Sequence, residues 1–533
     1  MTRTPRTPMF VPAGAALATL TLLFTSAPAA HAQDAAGPSP QATSEATLVA
    51  QAAPAAPPQT PAAPAAAPAV QDAPPAAPPE VVAPPPAVAP AVVTDLSARV
   101  DELDQLARIA YRKHELLEEE AAKKAKEAPV FSVDDKGVQL KSADGKYTLK
   151  VRGLLQVDGR FFLNDDVLQD RDTFLIRRLR PYIEGTLFGL VDYRLLPDFA
   201  GATAQVLDAY IDVHPAPWLR LRAGKMKAPI GLERLQSDAD LSFIERGLDQ
   251  NLSTTRDVGA QLWGDIAEGL VNYSIGVYNG GPDASSLEVD TNHAKDFIGR
   301  LFFHPFRTEG LASLGNLGIG VAASTGNRKG LPQVGTTAAS PNLPAFRTPG
   351  QNTFFQYLAP SGDTAGTGTT FAHLRASRLN PQLYYYIGGL GLQGEYLLSR
   401  QEVQRGNDKA TLTHHAAHGT INYVVNGKAG YDGATPLLPF DLEKGFLGAL
   451  ELALRYSWLK ADSDTFPTFA NPTAFARIAN SYAAAVSWVP RRSFKASVNF
   501  EQTRFTGGAA NPDKTIADRK TENLLLGRLQ VNF

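Results

Sequence analysis

The chain has 533 residues, with 51 Lys and Arg against 53 Asp and Glu, and the resulting formal charge of −2 singles out no charged partner. It contains no cysteine, which excludes disulfides, thiolate metal sites, a cysteine nucleophile and a lipid-modified amino-terminal cysteine. A mean hydropathy of −0.16 is too polar for a helical membrane protein, but ordinary for a barrel in which every second strand residue faces water.

Arg3 and Arg6, the apolar run Ala13 to Phe24 and the triplet Ala30-His31-Ala32 predict a secretory signal peptide over residues 1–32. The run is too short to cross a bilayer as a helix, which takes about 20 apolar residues. No later stretch is an uninterrupted apolar span, so a membrane-embedded form of this chain must be a barrel. Residues 33–92 hold 16 of the 40 prolines and are otherwise rich in alanine, a composition that buries no core. They predict a disordered periplasmic linker, with a reach on the order of 190 Å at about 3.1 Å per residue. Contact with peptidoglycan is within that reach without being required by it. Residues 93–128 predict a short coiled-coil helix: Leu96, Val100, Leu103, Ala107, Ala110, His114 and Leu117 follow a 4-3-4-3 spacing, and Pro129 stops the run. The competing reading is a solvated amphipathic helix.

From about Val130 the pattern changes to short alternating segments. KSADGKYTLKV predicts a hairpin turning at Asp144-Gly145. In Phe174 to Glu184, period two places Leu175, Arg177, Leu179, Pro181 and Ile183 on one face and Ile176, Arg178, Arg180, Tyr182 and Glu184 on the other. On a regular strand Arg178 and Arg180 then face a watery lumen, while Arg177 is on the lipid side or at the rim unless a bulge intervenes. Arg220 and Arg222 share a face opposite Leu219 and Leu221, and Lys225 and Lys227 fall off that parity. Alternation continues through Leu450 to Ser457 and Phe494 to Glu501, and ends on the aromatic Phe533. Thr325 to Asp363 and Arg400 to Lys444 read as long polar loops, facing outward. The fold class is therefore all-β: a transmembrane antiparallel β-barrel over residues 129–533. Sixteen strands would use roughly 24 residues each with their loops, and fourteen or eighteen stay open.

Two motifs are set aside. Gly389-x-Gly391-x-x-Gly394 has the dinucleotide spacing but sits on an alternating strand with no following helix. His414, His415 and His418 lie in a loop-like region without the glutamate of a metalloprotease helix. No cofactor, metal site or catalytic set is expected, and the chain reads as a non-enzyme.

The blocks KSADGKYTLKVRGLLQVDGRFF, FLIRRLRPYIEG, LDAYIDV, LRAGKMKAPIGLERLQS, FIERGL, ALELALRYSWL, NFEQTRF and DRKTENLLLGRLQVNF resemble, in order and spacing, the phosphate-selective porin O and P family. The resemblance covers most of residues 137–533. It implies a sixteen-stranded, trimeric outer-membrane channel that prefers anions. It aligns Arg177 and Arg178 with the family's paired pore arginines, Asp208 with an acidic residue beside the constriction, and Arg234 with a lysine of the constriction loop. Pro229 to Arg256 is then the segment that folds into the lumen. Arg180 and Lys227 stand where phosphate-selective members can carry tyrosine, which moves the expectation from strict phosphate selectivity to anions more broadly.

The expected pathway is Arg178, Arg180, Asp208, Arg220, Arg222, Lys227 and Arg234. The segment Phe174 to Arg234 holds nine Lys or Arg against six Asp or Glu. Any of these arginines could instead pair with a lumen carboxylate such as Glu184, Asp192 or Asp212. Expected partners are inorganic phosphate or other small anions, outer-membrane lipid and two further copies of the chain, with no nucleic acid. The alternative function is a general-diffusion porin whose linker and coiled coil tether the outer membrane to the cell wall.

Overall fold

The computed structural model describes residues 90–533 apart from 135, 164–171, 202, 287–292, 308–312, 333–338 and 361–364. The expected signal peptide, and the expected linker up to its last three residues, lie outside the described residues. Helix α1 spans Pro90–Glu127. Its apolar residues Leu96, Val100, Leu103 and Leu117 are all exposed. No helix among the described residues is long and apolar enough to cross a membrane.

Among the described residues, sixteen strands close into one antiparallel barrel. The first eight are β1 (Thr148–Phe162), β2 (Thr173–Leu187), β3 (Val191–Asp198), β4 (Gln205–Ala216), β5 (Leu219–Met226), β6 (Asp257–Ile266), β7 (Val271–Tyr278) and β8 (Asp296–Phe303). The second eight are β9 (Leu317–Lys329), β10 (Phe371–Ile387), β11 (Leu390–Arg405), β12 (Asp408–Val425), β13 (Ala449–Lys460), β14 (Ala476–Arg491), β15 (Phe494–Ala510) and β16 (Glu522–Asn532). Each pairs with its chain neighbours, and β16 returns to β1 with Leu524 opposite Phe162 and Asn532 opposite Leu154. Closure leaves the barrel wall no free edge, which an open sheet in lipid could not tolerate.

The terminal aromatic residue helps to lock that seam. Phe533 and Gly153 exchange backbone hydrogen bonds of 2.8 and 3.1 Å. A Cβ on Gly153 would lie 2.6 Å from the Phe533 ring, so only glycine allows the ring to lie there. Beyond this point the free side of β1 is taken by a hairpin of Val130–Asp134 and Gly137–Lys141, with Lys141 opposite Thr148. The turn after Lys141 contains Gly145 at φ 71°, as the Asp-Gly pair predicts.

Alternation sorts the wall. On β13, Leu450, Leu452, Leu454 and Tyr456 are exposed, while Glu451, Arg455 and Ser457 are buried inside. The outward residues of the other strands, such as Ile176, Ile275, Phe297, Ile319 and Val498, continue this exposed apolar surface. An apolar band of that extent on the outside of a barrel is the surface lipid covers.

Both expected long loops differ from expectation. Arg400 to Lys444 is largely strand: β11 and β12 meet at a two-residue turn, Arg405 opposite Asp408, with Gly406 at φ 56°. The remaining residues of that stretch connect β12 to β13 at the end of the barrel that also holds Phe533. Alternating polar residues caused the misreading, because they face the lumen and not solvent beyond the strand ends. Thr325 to Asp363 does contain a long connection after β9, but the connection turns inward. Its small hairpin, Ala345–Arg347 with Thr353–Gln356, buries Phe346, Phe354 and Phe355 in a core with Leu412, Ala416 and Phe505.

Candidate functional site

The connection from β5 to β6, residues 227–256, also folds into the barrel. Gly231 starts its inward turn at φ 83°, a conformation that favours glycine. A single helical turn, α2 (Leu232–Leu235), and a 3-10 turn, Leu248–Leu252, follow. Hydrogen bonds pin the segment to the wall on several sides. Gly231 N donates to Asn380 Oδ1 on β10 at 2.8 Å, and Leu232 N and Glu233 N donate to the Glu395 carboxylate on β11 at 2.7 and 2.8 Å. Ser242 Oγ donates to Glu451 on β13 at 2.6 Å. Lys495 Nζ on β15 donates to Leu241 O at 2.7 Å, and Gln156 Nε2 on β1 to Asp238 O at 3.0 Å. A loop tied at this many points narrows the lumen as a fixed element.

The arginine stretch on β2 faces this loop. Gln156 pairs with Arg178 and Val157 with Ile176, so Arg177 is an extra residue in a β-bulge. The bulge overturns the expected lipid-side or rim position of Arg177. Phe174, Ile176 and Leu179 are exposed outside, while Arg177, Arg178 and Arg180 all turn inward. Arg177 grips Glu245 of the loop through Nε at 2.5 Å and Nη2 at 3.1 Å. Arg178 donates to Gln156 Oε1 at 2.6 Å and stands 3.4 Å from Asp238. Arg180 donates to Asp198 at 2.7 Å and also pairs with Asp238, as does Arg246. One loop carboxylate is thus shared by three guanidinium groups. Against the cost of burial, Arg178, Arg246 and Arg180 hold the Asp238 carboxyl well below the usual carboxylate range.

The remaining expected residues line the same lumen. Asp208 accepts from Arg256 Nε at 2.8 Å. Arg220 reaches Asp192 at 2.7 Å, and Arg222 reaches Asp212 at 2.6 Å, so the carboxylate pairing of these arginines is realised. Arg222 is also stacked between aromatic faces, 4.3 Å from the Tyr210 ring centre and 4.6 Å from that of Trp263. Lys227 lies just past β5, where it donates to the carbonyls of Leu235 and Gln236 at 3.3 and 2.7 Å. Arg234 bonds the Gln250 carbonyl at 2.9 Å and Ser253 Oγ at 3.3 Å, with no carboxylate partner among the described residues. Burial and the nearby charge of Arg246 push its guanidinium down to about 10, still a cation at neutral pH.

Among the described residues, the interior holds three cavities lined by these groups. The one toward the loop-rich end, about 460 Å³, is lined by Arg177, Arg178, Arg234, Arg246 and Arg347 against Glu245 and Asp283. The middle one, about 400 Å³, has Arg180, Arg194, Arg222, Lys227, Arg256 and Arg300 against Asp208, Asp238 and Asp265. The third, about 330 Å³, has Lys150, Arg194, Arg220 and Arg222 against Glu184, Asp192 and Asp212. The Asp238 cluster stands between the first two, while the second and third share Arg194, Tyr210 and Arg222.

Sequence reading missed Asp238, Glu245, Arg194 and Arg300 as members of this site. For Arg194 a signal existed: it shares the inward parity of Asp192 on β3. The loop carboxylates carry no periodic signal, since their partners are set by how the loop folds against β2.

A family model described as phosphate-selective porin O and P matches residues 149–533. Among solved structures, the chain is similar to the outer membrane protein OmpT of Vibrio cholerae, with 12% identity over 73% of this chain and 98% of that one, at a TM-score of 0.44. It is also similar to the outer membrane channel DcaP of Acinetobacter baumannii, with 10% identity over 74% and 99%, at 0.46. An anion-selective porin from Comamonas acidovorans shows 10% identity over 73% and 100%, at 0.45. No curated protein matches the chain.

Proposed function

We propose that this chain, which belongs to the phosphate-selective porin O and P family, is an outer-membrane porin whose lumen passes small anions, phosphate and polyphosphate among them, by passive diffusion. One observation carries the reading. Basic groups outnumber acidic ones in each of the three cavities: five against two, six against three and four against three. Positive charge inside a low-dielectric wall focuses the field and raises the local anion concentration.

The arrangement also suits release. Arginine keeps its charge at any relevant pH, and its fork matches phosphate oxygens. Lumen carboxylates such as Asp238, Asp198 and Asp212 hold the same guanidinium groups when no anion is near, so an arriving anion competes for them and is bound weakly. Arg234 and Arg300, whose hydrogen-bond partners among the described residues are carbonyl, hydroxyl or amide oxygens, supply charge with no carboxylate in direct contact. Several weak sites in sequence allow an anion to enter and leave. In this reading the short-turn end with the chain terminus faces the periplasm, and the exposed heptad stripe of α1 supports assembly as a trimer.

Reversal potentials of the purified protein in planar bilayers test the proposal. Under a salt gradient the sign should report anion preference, and phosphate should carry current in place of chloride. A cation-selective potential would overturn it.

A further inference from the structure

The HHxxH stretch lies on β12 and not in a loop, and its three histidines part company there. His415 is only partly buried and pairs with Tyr396 Oη at 2.6 Å, while His414 and His418 are buried in the interior. His414 bonds Tyr357 at 2.6 Å. His418 meets the inward loop, facing Asp249 of the 3-10 turn and Glu233 of α2. One potential ligand atom from each of Glu233, Asp249 and His418 lies within 4.8 Å of the others.

The hydrogen-bonding capacity of this cluster is not used up. The side chains of His418 and Asp249 are 0% exposed. Among the described residues, Asp249 Oδ1 and both ring nitrogens of His418 have no hydrogen-bond partner. Nδ1 is 2.9 Å from Asp249 Oδ2, but outside hydrogen-bonding geometry. The surroundings add negative charge. Glu395 lies 3.9 Å from His418, and Arg455, the nearest guanidinium, is shared between Glu233 and Glu501 at 3.3 Å each. Of the four buried carboxylates here, Arg455 pairs with Glu233 and Glu501 and amide donors hold Glu395, which leaves Asp249 facing the imidazole of His418.

We propose that Glu233, Asp249 and His418 form a binding site for a divalent metal ion of zinc-like ligand preference, which staples the inward loop to β12. One imidazole and two carboxylates are a zinc-type donor set. Zinc bonds of about 2.0–2.2 Å place neighbouring tetrahedral ligands about 3.4 Å apart, so the three side chains would draw together by roughly 1 Å. The Glu233 carboxylate already accepts from Gly247 N at 3.0 Å and keeps lone pairs for a metal. The staple would act on the constriction directly. Arg234 follows Glu233 on the same helical turn, and Arg246 Nε donates to the Glu233 carbonyl at 3.1 Å.

The test uses the full-length protein in detergent, stripped with a chelator and titrated with Zn²⁺ alone, followed by metal analysis after desalting. Wild type should take up one Zn²⁺ per chain. His418→Gln and Asp249→Asn should each weaken binding by about tenfold or more, on the scale of lost metal-site groups. His414→Gln, on the same strand and also buried, should bind as wild type does. Heat-modifiable gel migration reports whether each variant folds, and if one ligand variant fails to fold the other decides. Absence of zinc uptake by wild type, or equal uptake by wild type and a folded ligand variant, overturns the proposal.

Discussion

Arg222 and Arg455 both point into the barrel, and they meet different surroundings. Arg222, on β5, is half-buried at the edge of two cavities, paired with Asp212 and stacked on Tyr210 and Trp263. Arg455, on β13, is almost fully buried under the inward loop, between Glu501, Glu233 and the Glu245 carbonyl. Arg378 on β10 repeats the second pattern, with Asp283 at 2.6 Å and Asp296 at 3.3 Å. The guanidinium groups of β2–β8 described above line the cavities, those of β2 while also clasping the inward loop. Arg378 and Arg455 line none of the three cavities and serve to hold loops in place. Charge on the inward face is therefore insufficient to mark a pathway; access to a cavity is what separates the two uses.

The largest expected effect breaks the covered side. Arg455→Met leaves Glu501 and Glu233 buried without their cation, which should cost about 3–5 kcal/mol, the scale for breaking a buried pair from one side. Arg222→Met should cost far less, since Arg220 remains 3.4 Å from Asp212. Denaturant unfolding of the folded barrel measures both. Equal losses would erase the distinction between the two sides.

Next comes the open side. Replacing Arg178, Arg180 and Arg234 together by glutamine should lower the anion-to-cation permeability ratio on the order of tenfold, the lower range of field-focusing effects. An unchanged reversal potential would remove these residues from the pathway. A change of opposite sign and smaller size should follow from Asp238→Asn. It releases three guanidinium groups from one carboxylate, so anion preference should rise roughly twofold, while phosphate dwells longer and blocks chloride current at lower concentration. If Asp238→Asn lowers anion preference, the clasp is structural and not a brake on binding.

How far these sides were legible follows from what each rests on. Alternation reports which face a residue takes, so the barrel class and the inward positions of Arg178, Arg180, Arg220 and Arg222 could be read directly, while the count of sixteen rested on chain length and family resemblance, with fourteen and eighteen left open. One inserted residue defeats parity: the bulge that turns Arg177 inward is visible only in the pairing of Gln156 with Arg178 and Val157 with Ile176. Loops defeat it altogether. Asp238, Glu245 and Arg246 meet Arg177, Arg178 and Arg180 because of how thirty residues fold inside the barrel, and no local period encodes that. The histidines of β12 were misread because lumen-facing polar residues on a covered strand resemble the composition of a loop.

The smallest expected effect locates the boundary between the sides. Asp238 faces the middle cavity, while Asp240, two residues on, faces Lys495, Arg492, Asp432 and Ser237. Burial pushes the Asp240 carboxyl up to about 6, against the opposing charges of Lys495 and Arg492. Above that pH it is an anion; below it the group is neutral, and the lumen gains one unit of net positive charge. Anion preference should therefore rise as pH falls from 7.5 to 5, by roughly half again, since one screened charge of many is removed. Asp240→Asn should show at pH 7.5 the selectivity that wild type reaches at pH 5, and should flatten the profile between them. A wild-type profile that is already flat, or one that survives Asp240→Asn, would put Asp240 on the covered side and the edge of the pathway at Asp238.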